Sequence, residues 1–165
     1  MSANDSKRLT KKGAENPATL FSPTTLADAN LLLRNAIQNL SPEIKSEVVL
    51  RCDELVQVQG AAENIEKAFS QLLKLIVNEK PSDKKLFLHI TGFHDRKGEI
   101  ETIANGLQRY IIQFHTNISL HAEWMQEAER RINDIASLLL PFGGSFQVNQ
   151  LKNSGCVFYI SLPGK

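Results

Sequence analysis

Histidine, cysteine and basic side chains are the groups in this chain whose chemistry could hold a metal or an anion. His89, His94, His115 and His121 show no spacing that converges on a metal. His89 and His115 fall in strand-like segments at alternating positions and read as ordinary solvent-facing or core imidazoles. Cys52 and Cys156 make neither a disulfide framework nor a ligand cluster, so a reduced, intracellular setting is the expectation. Lys74, Lys80, Arg130 and Arg131 could bring positive charge to a phosphate or carboxylate. Long basic side chains more commonly stand in solvent, however.

The elements that must position these groups are legible in the periodicity. Hydroxyl residues and a proline at Ser22-Pro23-Thr24-Thr25, with Asp28 three positions after Thr25, signal a helix start. Leu26, Ala29, Leu33, Ala36, Ile37 and Leu40 follow at helical spacing, and Pro42 is expected to close that helix. Glu47 to Cys52 is short, apolar and β-branched, a strand. From Glu63 the residues Ile65, Ala68, Phe69, Leu72, Leu73 and Ile76 define a second amphipathic helix that ends before Pro81. Leu86 to Ile90 and Tyr110 to Phe114 read as strands. A third helix covers about Leu120 to Leu140, with Trp124, Ala128, Ile132, Ile135, Ala136 and Leu139 on or near one face. Pro141 and Gly143 stop it, and a closing hairpin runs to Pro163. The fold class that follows is an α/β (α+β) two-layer sandwich: a mixed, largely antiparallel sheet with three main helices on one face.

Composition narrows the function classes. The 165 residues fit one domain, residues 22–165, behind a polar tail, residues 1–21, expected to be disordered. A hydrophobic content of 42% suffices for one core. Nineteen basic against eighteen acidic residues leave a net charge of +1, so no global field points to nucleic acid or an anionic membrane. Lys7, Arg8, Lys11 and Lys12 cluster in the tail without aromatics and read as a solvated end. No apolar run approaches the roughly 18 residues of a membrane span, and the start MSANDSKRLTKKG lacks the apolar core of a signal peptide. A cytoplasmic protein is expected.

The closing stretch, Gly143-Gly144-Ser145-Phe146-Gln147-Val148-Asn149 through Gly155-Cys156-Val157-Phe158-Tyr159-Ile160-Ser161-Leu162-Pro163, resembles the last hairpin of the sensor histidine kinase ATP-binding domain, of the wider GHKL ATPase superfamily. The resemblance extends upstream through Cys52-Asp53-Glu54-Leu55 and Gly60, and through the helix Ile65 to Val77, with Pro81 at the family's proline. It implies the bacterial kinase fold and a two-component signalling context.

The resemblance also marks what is missing. The family's magnesium-binding asparagine falls on Leu75, which offers no oxygen to a cation that demands them. Asn78, one turn on, would serve only if the proline and the next strand shifted by three residues. The adenine-binding aspartate falls on Thr116, and the glycine that admits the base falls on Ile118. The lid is deleted, and the phosphate-cradling glycine turn is replaced by Glu129-Arg130-Arg131-Ile132. Leu75, Asn78, Thr116, Ile118, Arg131 and Gly155 are therefore expected to be degenerate nucleotide-pocket positions. No catalytic residue, metal, ATP or magnesium binding is expected.

No histidine sits in a His-Glu-x-x-x-Pro phosphoacceptor context, so the resemblance carries no helix-pair dimer with it and leaves the oligomeric state open. The expected function is a non-catalytic regulatory or protein-interaction module, a pseudokinase, with surfaces near Trp124 and Met125 and on the first helix as candidate contacts. The alternative is a domain that binds a nucleotide or another anionic small molecule without magnesium, using Lys74, Lys80, Arg130 and Arg131. An active ATPase with relocated groups ranks third.

Overall fold

The computed structural model describes residues 26–79, 85–95, 109–119, 122–151 and 155–163. The tail and the first signals at Ser22 to Thr25 lie outside them. Strand β1 (Leu26–Asp28) leads into helix α1 (Ala29–Gln38), correcting the expectation of a helix that begins before Leu26. The cause is local: the Asp28 carboxylate accepts from the N–H groups of Asn30 and Leu31 at 3.0 and 3.4 Å. Asp28 is thus the cap, with extended backbone, and the residues before it run as a strand. Pro42 opens rather than closes a helix, the short α2 (Pro42–Ser46) capped by Ser41. A proline lacks the N–H that a first turn leaves unbonded anyway.

Strand β2 (Val48–Cys52) follows, then β3 (Gln57–Gln59), which pairs antiparallel with β1 as a separate two-stranded ribbon. Asn30 ties the intervening loop down: its amide oxygen accepts from Leu55 N at 2.7 Å and its amide nitrogen donates to Leu55 O. Helix α3 (Ala62–Asn78) buries Ile65, Ala68, Phe69, Leu72, Leu73, Leu75 and Ile76. Strand β4 (Leu86–Asp95) runs five residues beyond its expected end at Ile90. Past Ile90 its side chains are mostly half-exposed and give no core signature, yet pairing with β5 (Arg109–Thr116) keeps it extended. Helix α4 (Ala122–Leu139) ends in a 3-10 turn over Leu140–Phe142 and at Gly143, whose φ of 83° is left-handed. The hairpin β6 (Ser145–Leu151) and β7 (Gly155–Pro163) completes the sheet.

The strand order is β2-β4-β5-β7-β6, with β2 and β4 parallel and every other pair antiparallel. α3 packs between α1 and α4 over this sheet. The core lies between the two layers, where Phe69 of α3 meets Phe114 of β5 with ring centroids 5.9 Å apart. The expected two-layer sandwich is the observed fold, with one short helix added.

Candidate functional site

The positions singled out by the sequence fall on α3, α4, the end of β5 and the start of β7, where Leu75 meets Arg131 and Thr116 meets Ile118 and the strand that Gly155 begins. On α3, residues Gln71, Lys74 and Leu75 share a face by helical spacing. On α4, Arg131, Asp134 and Ile135 do the same, and the two faces enclose a cleft of about 230 Å³. Leu75 forms part of its wall but is only 2% exposed and belongs to the core cluster. Asn78 is the exposed last residue of α3 and does not line the cleft.

Thr116 closes β5 and is 2% exposed. Its hydroxyl oxygen accepts from Ile118 N–H at 3.2 Å and lies 3.4 Å from the Cys156 carbonyl oxygen, to which it donates. Cys156 Sγ stands 3.3 Å from the same hydroxyl. Every bonding direction of this side chain is therefore engaged within the protein. Ile118, 7% exposed, has joined the core. Burial pushes the Cys156 thiol up, so it stays protonated and unreactive at neutral pH.

Gly155 has a fold role in this arrangement. Its φ is 95°, and a Cβ there would collide with the carbonyl oxygen of Thr116 and the Cα of Asn117. The residue must be glycine so that β7 can start tight against the end of β5.

α4 is continuous from Ala122 to Leu139, so Glu129 to Ile132 lie in mid-helix. Backbone N–H groups there bond within the helix and cannot cradle a phosphate. Arg131 is the member of the basic set that meets Lys74 at the cleft; Arg130 is exposed elsewhere on α4, and Lys80 lies outside the described residues. Sequence reading missed Gln71 and Asp134, whose only signal was their i, i+3 and i, i+4 spacing from Lys74, Leu75 and Arg131.

The histidines do not join this site. His89 and His115 stand opposite each other on β4 and β5, on the sheet face away from the helices. His89 Nε2 lies 3.3 Å from Asp53 Oδ1. The His94 ring lies 5.0 Å from that of Tyr110, and His121 is outside the described residues. No group of three or more potential metal ligands occurs among the described residues. The side chains of Trp124 and Met125 also fall outside them. No helix among them is long and apolar enough to cross a membrane.

No protein-family model matches the chain, and no curated protein matches it. Solved structures do. The catalytic domain of the histidine kinase ThkA superposes with a TM-score of 0.60 at 14% identity, over 85% of this chain and 95% of that one. The mycobacterial sensor histidine kinase MprB gives 0.57 at 13% identity, over 86% and 99%. The Acinetobacter baumannii histidine kinase AdeS gives 0.59 at 11% identity, over 86% and 67%. At these identities the likeness speaks for architecture, and the architecture is clear: this chain has the fold of the histidine kinase ATP-binding domain, with Leu75, Thr116 and Ile118 drawn into its interior.

Proposed function

We propose that this protein is a non-catalytic relative of the histidine kinase ATP-binding domain that works through protein contacts in a two-component-type signalling pathway. The observation that carries the reading is the burial of Leu75 and Ile118, 2% and 7% exposed, at the positions matching the family's magnesium and adenine sites. Each fully buried side chain of this kind stabilises the fold by roughly 1.5–3 kcal/mol. The replacements thus favour a closed interior over an open pocket. Thr116 supports the same reading, since its hydroxyl is already engaged by Ile118 and Cys156. In this reading the protein acts in the cytoplasm, needs neither ATP nor magnesium, and takes a protein rather than a nucleic acid as partner.

The test is a thermal-shift titration with ATP and ADP, each with and without magnesium, beside a functional kinase domain. No shift is expected under any condition. A ligand at a hundredfold its dissociation constant would add about 2.7 kcal/mol, so a clear shift would overturn the reading. A magnesium-dependent shift would implicate Asn78.

A second reading is favoured by one observation: Lys74 and Arg131 converge on the cleft between α3 and α4. Its volume of about 230 Å³ is below the roughly 300–1,000 Å³ of ordinary ligand sites, and Asp134 lies within it. Such a cleft suits a small anion better than a nucleotide. Stabilisation by inorganic phosphate that Arg131→Gln abolishes would favour this reading over the first.

A further inference from the structure

Among the described residues no strand lies on the outer side of β2, the edge of the five-stranded sheet. Leu86 N–H donates to Glu47 O, and Asp53 N–H donates to Ile90 O, at 3.1 and 2.9 Å. In a parallel ladder this phase turns the N–H and C=O groups of Glu47, Val49, Arg51 and Asp53 toward β4. Those of Val48, Leu50 and Cys52 point away from the sheet, and none has a partner among the described residues. Strand edges of this kind are ordinarily blunted by proline, lysine or a bulge. Val48-Val49-Leu50-Arg51-Cys52 contains no proline or lysine and pairs with β4 without interruption. Its apolar residues are open on both faces, Val49 at 44% and Leu50 at 38% exposure, and Phe87, opposite Val49 on β4, is 53% exposed.

We propose that β2 is a self-pairing edge: two copies of this chain join antiparallel about a twofold axis through Val49, making one continuous sheet from two five-stranded halves. The register follows from side-chain complementarity. With Val49 on the axis, Val49 meets Val49 and Val48 meets Leu50 of the second copy. Glu47, exposed at the entry to the strand, then stands opposite Arg51 of the second copy, whose side chain is 78% exposed. Apolar residues face apolar residues, and each cation faces an anion, pairings that stabilise a sheet.

Neighbouring registers lack this match. An axis through Leu50 sets Glu47 against Asp53, and one through Arg51 sets arginine against arginine. An axis through Cys52 runs the pairing into Asp53 and Glu54, beyond the end of the strand. The contact of Arg51 with Asp53, Nε to Oδ1 at 3.9 Å, is loose enough to give way to one with the second copy.

A five-residue strand is a short interface, so the dimer forms and dissociates with concentration rather than being permanent. It involves a different part of the molecule from the α3–α4 cleft, so the nucleotide titration and the dimer test succeed or fail independently.

Sedimentation velocity of the full chain over a concentration series tests the proposal. The expected result is a weight-average mass that rises toward twice the monomer mass. Glu47→Arg and Arg51→Glu each raise the dimer dissociation constant about tenfold, because two symmetry-related pairs turn from attraction to repulsion. The combined Glu47→Arg/Arg51→Glu chain regains the parent value. In a Cys52→Ser background, Val49→Cys forms an interchain disulfide under mild oxidation, since residues facing each other in a wide antiparallel pair stand about 4.5 Å apart; Leu50→Cys does not. All five substituted positions are exposed, and unchanged melting of each variant verifies folding. A monomer at every concentration, a charge swap that fails to restore pairing, or cross-linking through Leu50→Cys instead of Val49→Cys would overturn the proposal.

Discussion

Aliphatic side chains at two places in this molecule have opposite fates. In the core, Leu75 of α3 and Ile118 after β5 are almost wholly buried, while on β2 Val49 and Leu50 are 44% and 38% exposed. The residue types are alike; what differs is the number of layers that cover them. Leu75 lies on α3, which is flanked by α1 and α4, and the sheet closes the remaining side. Among the described residues β2 is the outermost strand, with β4 alone beside it. Like side chains fill the interior in one place and stand on the surface in the other.

Substitutions in the interior test this difference with the largest effects. Gly155→Val forces a β-branched residue into a φ of 95° and against the Thr116 carbonyl. A loss of about 3 kcal/mol or more is expected in urea unfolding; a loss under about 1 kcal/mol would show that β7 can retreat from β5. Leu75→Asn, which restores the family's residue type, should cost about 2–4 kcal/mol by placing an amide in the core. It should create no magnesium-dependent ATP binding, because Thr116, Ile118 and the unbroken α4 remain. Recovery of binding from that one change would mean the pocket is latent rather than lost.

Smaller effects sharpen the contrast. Thr116→Val keeps the shape but strands the Ile118 N–H, for an expected loss of about 1–2 kcal/mol. Val49→Thr on the open edge should change monomer stability by no more than about 0.5 kcal/mol, measured at a concentration where the chain is monomeric.

The two cysteines report the same difference without mutation. Cys52 is exposed and Cys156 buried, so an aromatic disulfide reagent should label Cys52 in the folded protein and Cys156 only on unfolding. Both thiols are shifted upward, Cys52 by partial burial and then by the adjacent Asp53 charge, so Cys52 labelling should accelerate toward alkaline pH.

A pH titration adds a last check on the interior. Burial raises the Tyr110 phenol above its ordinary value of 10.0, against a lowering contribution from a backbone hydrogen bond with Val56. A raised folded-state value means that its stabilising contribution is complete below the unfolded-state value and is lost as pH rises through the folded one. Stability should therefore fall in alkali above about pH 10, and Tyr110→Phe should flatten that part of the curve.

Long amphipathic segments were legible because their period survives any context. The buried face of α3 coincides with Ile65, Ala68, Phe69, Leu72, Leu73 and Ile76 as the periodicity predicts, and the hairpin closing at Pro163 stands where the resemblance to the kinase domain's last hairpin puts it. Local chemistry competes with periodicity at Leu26–Asp28, where the Asp28 cap starts the helix at Ala29, three residues after Leu26, and at Pro42, where a proline is compatible with both the end and the beginning of a helix. At the site, it is the resemblance to the kinase domain that makes Leu75 a missing cation ligand and Thr116 and Ile118 a crowded pocket. Nothing in the sequence indicated that the Thr116 hydroxyl would be shared between Ile118 and Cys156, since those contacts depend on where β7 begins.

The sequence by itself determined the alternation of helices and strands, the hydrophobic faces that build one core, and the absence of an oxygen donor at Leu75. Those are properties of residue type and local spacing. Long-range packing adds that Gly155 serves a close backbone crossing, that Lys74 and Arg131 meet across one cleft, and that Val48–Cys52 is the edge strand of the described sheet. These depend on strand order and on contacts between residues distant in the chain, which no local pattern encodes.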